Sequence, residues 1–218
     1  MTKTVTASGD GAEVKAEGLG LIGNPKAGRP ILGPTVTVEM FRALRLVGVM
    51  EGLDGTLGKD ASALVYNSGK HVGLSLGKAI LEKSGQDLNL YVQLVTAKLK
   101  ELGVGLMSIP EIDLAKGFLK VRVDECITCA GMPNIGKAVC HFEGGLVSGV
   151  LEAFLGAGKK VAVKESKCWA LGDTTCEFES RIVRPRPEFR YLYYVGLGFW
   201  SGMRNHDARR VERVADRL

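Results

Sequence analysis

The sequence predicts an α+β protein in which helices cover an antiparallel sheet, and three observations carry that prediction. Apolar residues recur at helical spacing through the first half of the chain. The period drops to two after Gly105, and the later strand-like runs sit either side of short connections rich in turn residues. The succession is three helices, a hairpin, a helix and a second hairpin, without internal repeats, which fits helices segregated to one side of a sheet. The chain has 218 residues, 45% of them apolar and 24% charged. That composition supports a buried core and excludes disordered, collagen-like and coiled-coil classes. No run approaches the roughly 18 uncharged apolar residues of a membrane-spanning helix.

Taken in order, residues 1–35 are expected to form an N-terminal arm. Within it, Gly18-Leu19-Gly20-Leu21-Ile22-Gly23 has the spacing of a dinucleotide-binding loop, but Asn24-Pro25 follows where a helix would have to begin, so it reads as a loop. Thr37 caps the first helix, with Glu39 in its first turn and Met40, Phe41, Leu44 and Val47 as its apolar stripe. Residues 52–58 read as a glycine-rich loop. Asp60 begins a second helix that runs to Ser84-Gly85. Its glycines Gly69, Gly73 and Gly77 share one face; glycine is a poor helix former, so this spacing predicts close approach of another backbone. A third helix starts at Asp87, carries Leu88, Tyr91, Val92, Val95, Leu99 and Leu102 on one stripe, and stops at Gly103.

Strands are expected over Leu106–Ile112 and Phe118–Asp124, the second with Leu119, Val121 and Val123 alternating with Lys120 and Arg122. A loop over 125–136 leads to a helix over Val139–Leu155, with Phe142, Leu146, Val150 and Phe154 on one side and a small pair, Gly145 and Gly149. Strands Lys160–Lys167 and Cys176–Val183 follow, joined through the turn signal Gly172-Asp173, and the second puts Cys176, Phe178, Ser180 and Ile182 on one face. The folded domain is therefore expected over 36–186. Residues 187–218 hold an apolar segment, Tyr191 to Trp200, and an arginine-rich tail that contributes much of the net charge of +5. A basic bias confined to a tail reads as a solvated helix face, so no nucleic-acid partner is expected. Met1-Thr2-Lys3-Thr4 lacks the apolar run of a secretory signal, which makes the cytoplasm the expected compartment.

All five cysteines, Cys126, Cys129, Cys140, Cys168 and Cys176, fall in one window. Cysteines used only for packing as small hydrophobes would scatter, and an odd number argues against a disulfide framework. Cys126 and Cys129 lie in a loop after a strand, Cys140 opens a helix, and Cys168 and Cys176 flank a hairpin turn. Thiolates at such converging positions suit a tetrahedral zinc site with four ligands and no open position. Cys140, Cys168 and Cys176 are the firmest three; Cys126 or Cys129 supplies the fourth, with Glu125 and Glu143 as weaker carboxylate candidates. An iron–sulfur cluster uses the same ligand type. A redox dithiol at Cys126 and Cys129 lacks a thioredoxin-like βαβ setting.

The run Cys140-His141-Phe142-Glu143-Gly144-Gly145-Leu146, then Val161-Ala162-Val163-Lys164-Glu165, then Cys168-Trp169-Ala170-Leu171-Gly172-Asp173-Thr174-Thr175-Cys176-Glu177-Phe178 resembles the 4-vinyl reductase domain. Tyr66-Asn67-Ser68-Gly69-Lys70 with Gly73, and Gly103-Val104-Gly105, fit the helical half of the same family, so the resemblance spans about residues 36 to 184. It implies a fold shared with transport-particle (TRAPP) subunits and with the sensor domains of phenol-responsive activators, binding of small apolar molecules or tetrapyrroles, and homodimers. It further implies zinc held by three cysteines matching Cys140, Cys168 and Cys176 plus a glutamate. The strand taken as equivalent carries Lys120 and Arg122 instead, which leaves the fourth ligand open.

Candidate ligand-lining residues are Tyr66, Tyr91, Val95, Phe118, Phe142 and Trp169, where helices would cover the sheet; the alternative is that they fill the core. The histidines carry no catalytic arrangement. His71 is expected in a core or interface, His141 beside the metal site, and His206 in the solvated tail; no Ser-His-Asp ordering, phosphate loop or paired carboxylates stand out. The expected function is a metal-stabilised, ligand-binding sensor or carrier. Two alternatives are an enzyme of tetrapyrrole metabolism, which would need a hydride source, and a TRAPP-like adaptor that assembles through the Gly69/Gly73/Gly77 face.

Overall fold

In the computed structural model, Arg29 and residues 31–58, 60–113 and 115–183 are described. The Gly18–Gly23 run, His206, the apolar segment and the basic tail lie outside them. Thr37 accepts a hydrogen bond from the Met40 amide and caps α1 (Val38–Arg42). The helix does not end there. It passes through a π-helical stretch, Ala43–Glu51, into α2 (Gly52–Leu57), so the loop expected over 52–58 is helical up to Gly58, whose φ of 55° ends it. Gly52 keeps helical angles at the junction, so the glycine content does not by itself break the helix. The Met40, Leu44 and Val47 stripe faces outward, and the buried residue of the π-helical stretch is Arg45.

α3 (Asp60–Ser84) and α4 (Leu88–Glu101) follow, with Asp87 accepting from the Leu90 amide at the start of α4. The strands are β1 (Leu106–Asp113), β2 (Phe118–Asp124), β3 (Lys160–Lys167) and β4 (Cys176–Val183), and α5 (His141–Leu155) lies between β2 and β3. All neighbours pair antiparallel in the order β1-β2-β4-β3. β1 is an edge strand with an irregularity between Ser108 and Glu111, the place where Pro110 cannot donate to a ladder.

This topology gathers the cysteines at one end of the sheet. Val123 near the end of β2 pairs with Cys176 at the start of β4, and Lys167 at the end of β3 pairs with Glu177. The chain leaves β2 into the loop that holds Cys126 and Cys129, and leaves β3 directly into Cys168. Cys140, at the N-cap position of α5, completes the set.

α5 is apolar nearly all round and is buried on several sides. Val147 and Leu151 join the core that contains the cysteines and the inner face of the sheet. Leu146 and Val150 pack with Leu76, Tyr91, Val95 and Leu99 from α3 and α4. Toward α3 the contact is backbone on backbone. A methyl at Gly69 or Gly73 would fall on the carbonyls of Phe142 or Leu146, and one at Gly145 or Gly149 on the carbonyls of Tyr66 or Lys70. The glycine face of α3 is thus used up within the chain and is not a free assembly surface. His71, two residues from Gly69 and Gly73, points to the opposite side and is exposed rather than part of a core.

Because neither backbone can retreat, Gly145→Val is expected to lower stability by about 3 kcal/mol or more. Urea unfolding monitored by circular dichroism measures the loss; a change under about 1 kcal/mol would show that the helices can separate at little cost.

Candidate metal centre and adjoining cavity

Each cysteine is placed by a local device. The first loop turns back on itself through Ala130 N–H to the Cys126 carbonyl and Met132 N–H to the Cys129 carbonyl, both 2.9 Å. Arg42 clamps its outer side, donating to the carbonyls of Ile127 and Ala130 at 2.7 and 2.8 Å. Arg45 donates from both terminal nitrogens to the Glu143 carboxylate at 3.1 Å, and Thr128 donates to the same carboxylate at 2.6 Å, tying the loop to α5. On the other side, Asp173 accepts from the Cys168 amide at 2.9 Å, and Gly172 turns the chain with φ 96°. The turn residues legible in the sequence therefore hold Cys168 in place.

All five thiols are unbridged and fully buried. Their sulfurs stand 3.1 Å apart for Cys129–Cys176, 3.2 Å for Cys129–Cys140, 3.6 Å for Cys126–Cys140, 3.8 Å for Cys140–Cys176 and 4.0 Å for Cys140–Cys168. A tetrahedral ion with bonds of about 2.3 Å to sulfur sets its ligands about 3.8 Å apart, and the observed spacings straddle that value. Two groups of four have ligand atoms all within 4.8 Å of one another: Cys126, Cys129, Cys140 and Cys176; and Cys140, Glu165, Cys168 and Cys176. The buried cluster can hold a metal ion.

The electrostatics point the same way. Hydrogen bonding, first from Cys129, pulls the Cys126 and Cys168 thiols far below their ordinary pKa, while contact with Cys126 and the other thiols pushes Cys140 and Cys176 far above it. So many acidic groups cannot all ionise in a dry pocket without a cation. Cys140 also sits at the positive end of the α5 dipole, which favours its thiolate.

Glu165 joins the cluster without being among the ligands expected from the sequence, although a signal exists there. It continues the inward-facing alternation Val161, Val163, Glu165 along β3, where a carboxylate is out of place among valines. The irregularity of the ladder between Glu165 and Lys167 marks the same point. One of its oxygens accepts from the Cys140 amide at 3.2 Å, while the other, Oε1, is buried without a hydrogen-bond partner. Burial, and next the charge of Cys168, push its carboxyl up to about 9. Of the weaker candidates, Glu143 is engaged by Arg45 and Thr128, and Glu125 is exposed. His141 belongs to neither ligand group; burial and then Arg45 lower its pKa.

Beside this core lies an apolar cavity of about 700 Å³ between α4, α5 and the inner face of the sheet. Val121 and Val147 belong both to its wall and to the core around the thiols. Tyr91, Val95 and Phe118 line it. The other three expected lining residues lie elsewhere. Tyr66 packs at the α3–α5 crossing, Phe142 lies under the Arg45 guanidinium at 4.8 Å, and Trp169 packs against the cysteine core with its indole nitrogen unpartnered. Tyr91 donates its hydroxyl to the Val150 carbonyl at 2.7 Å. Ser180, on the inner face of β4, turns a buried hydroxyl without a partner into the same wall.

Comparison with known proteins matches residues 119–182 to the 4-vinyl reductase domain. The chain is 32% identical over 152 residues to the uncharacterized protein MJ1642 of Methanocaldococcus jannaschii, covering 70% of this chain and 81% of that protein. Among solved structures it is similar to the phenol-responsive sensory domain of the transcription activator PoxR with phenol, with TM-score 0.52, 18% identity and coverage of 75% and 83%. It is also similar to trafficking protein particle complex subunit 3 from Naegleria fowleri covalently bound to palmitic acid, with TM-score 0.51, 15% identity and coverage of 67% and 95%. The two structural likenesses establish the fold, a helix-covered antiparallel sheet of the kind found in transport-particle subunits.

Arg45→Met is expected to cost about 3–5 kcal/mol near neutral pH, because it strands the buried Glu143 charge, and Arg45→Met/Glu143→Leu should recover most of that. Burial already raises the Glu143 pKa above its ordinary 4.5. Without Arg45, the penalty is absent below that value and grows as pH rises through it. Denaturant titrations of the single and double variants at several pH values test both statements.

Proposed function

We propose that this chain, which belongs to the 4-vinyl reductase domain family, binds a small apolar or tetrapyrrole-like molecule as a sensor or carrier, over a core stabilised by zinc. The observation that carries the reading is the cavity. Its wall is apolar except for a few groups such as Ser180, and its one titratable side chain, Tyr91, has its hydroxyl bound to Val150 and its pKa raised by burial. A wall without free acids or bases suits retention of a ligand better than proton transfer. A volume of about 700 Å³ suits a long-chain or multi-ring molecule better than one small ring. The unpartnered Ser180 hydroxyl supports a ligand with one hydrogen-bonding group.

Zinc is supported by the close approach of the sulfurs, which leaves room for ions at tetrahedral distance but not for a core of irons and sulfides between them. In such a site the metal supplies cross-linking rather than chemistry: Cys140, shared by both ligand groups, joins α5 to the sheet. The outward-facing Met40, Leu44 and Val47 are the surface a second copy would cover in the expected homodimer; light scattering tests that point.

Organic extracts of the purified protein, analysed by mass spectrometry, should contain a bound apolar compound, and palmitic acid should raise the melting temperature of extracted protein more than phenol does. Leu151→Trp, which fills the cavity, should abolish both signals. Ser180→Ala should weaken palmitic acid binding about fivefold, as the loss of one hydrogen bond of about 1 kcal/mol implies. Protein that carries nothing and responds to no apolar probe would refute the reading. Elemental analysis should find zinc, and Cys140→Ser should lose it and fail to fold stably; iron with acid-labile sulfide would refute the zinc assignment.

A further inference from the structure

Six donors meet at this end of the sheet: five thiols and the Glu165 carboxylate. One tetrahedral ion uses four of them. If it took Cys126, Cys129, Cys140 and Cys176, then Cys168 and Glu165 would remain in the dry core, the latter with its Oε1 atom still unpartnered. If it took Cys140, Glu165, Cys168 and Cys176, the Cys126 and Cys129 thiols would be left over, although a loop clamped by Arg42 holds them there. Every choice of one ion strands two acidic groups away from water, where unpaired polar groups are costly.

The two ligand groups overlap in two members, Cys140 and Cys176, 3.8 Å apart. Two tetrahedra that share one edge need six ligands, four terminal and two bridging, and six are present. We propose that the cluster is a two-ion centre for thiophilic divalent cations. Cys126 and Cys129 are terminal ligands of one ion, Cys168 and Glu165 are terminal ligands of the other, and the Cys140 and Cys176 thiolates bridge both.

The assignment accounts for the residues around it. The Cys140–Cys176 separation is close to the edge of about 3.8 Å that bonds of about 2.3 Å require of two sulfurs on one ion. The unpartnered Oε1 of Glu165 gains a cation. Five thiolates and a carboxylate carry six negative charges, and two divalent ions cancel four of them where one would cancel two. The N-terminus of α5 at Cys140 lies against the remainder. As each thiol binds, its proton leaves to solvent.

The inference rests on the reading of the cluster as a metal centre, and one measurement separates the two. The full-length protein is expressed in zinc-supplemented medium, purified under reducing conditions, and assayed for zinc per chain. Two ions per chain support the two-ion centre. One ion per chain overturns it and leaves the metal centre standing. No ion overturns both. Cys168→Ser and Glu165→Gln, each removing one terminal ligand of the second ion, should halve the content from two to one, while Cys126→Ser/Cys129→Ser should halve it through the first. If these variants do not fold, X-ray absorption of the unaltered protein decides. Two ions bridged by two sulfurs give a metal–metal vector at about 3 Å, and a spectrum fitted by sulfur and oxygen neighbours alone overturns the proposal.

Discussion

Everything at the cysteine end of this protein follows from one electrostatic constraint: several acidic groups share a space from which water is excluded. Thiols are tolerated in a core as small hydrophobes, but thiols within hydrogen-bonding distance of one another perturb one another's ionisation strongly, and a neighbouring carboxyl is dragged with them. The surrounding elements are arranged to hold that concentration of charge. Two arginines reach in from the first helical stretch, yet neither touches a sulfur ligand in the hydrogen bonds observed; one holds loop carbonyls and the other a carboxylate on α5. Their task is to fix the walls.

The second constraint is steric. α3 and α5 approach so closely that glycine is required on both sides of the crossing, and this fixes how far α5 can stand from the sheet. The cavity is the complement of that choice. Pulled toward α3 at its glycines, α5 leaves space on its other flank, where Val150, Leu151 and Phe154 face α4 and the strands without filling the gap. The backbone contact and the empty volume are two results of one helix position.

Much of this is legible in the sequence, and what is hidden is hidden for physical reasons. Strand limits, the Asp87 cap, the Gly172 turn and the close approach at Gly69 and Gly73 all follow from local preferences and periodicity, and the structure reproduces them. The convergence of the five cysteines can be inferred because each lies at the end of a predicted element. Glu165 escapes because the family resemblance directs attention to a carboxylate in β2, whereas an alternation of valines with one acid in β3 carries the information. Arg45 escapes for a different reason. A charged residue inside an apolar stripe reads as the solvent face, and only its distant partner Glu143, 98 positions along the chain, makes burial tolerable. The exposed side of α1 is hidden in the same way, since periodicity gives the stripe but not its direction. Of the expected cavity residues, those on α4 and β2 line the space, and those at the α3–α5 crossing, at the start of α5 and in the hairpin turn lie elsewhere, because lining depends on where α5 stops short and not on aromatic character.

α5 has almost no side that tolerates water. Most helices can dock one face and wait, half-wet, for the rest of the protein to assemble. This one must be enclosed by α3, α4 and the sheet together, because any partner that arrives late leaves a stripe of leucine and valine bare. Assembly of the domain is for that reason concerted, and its weakest moment lies between translation of residue 155 and completion of β4, when the central rod already exists and the strands that will roof it do not.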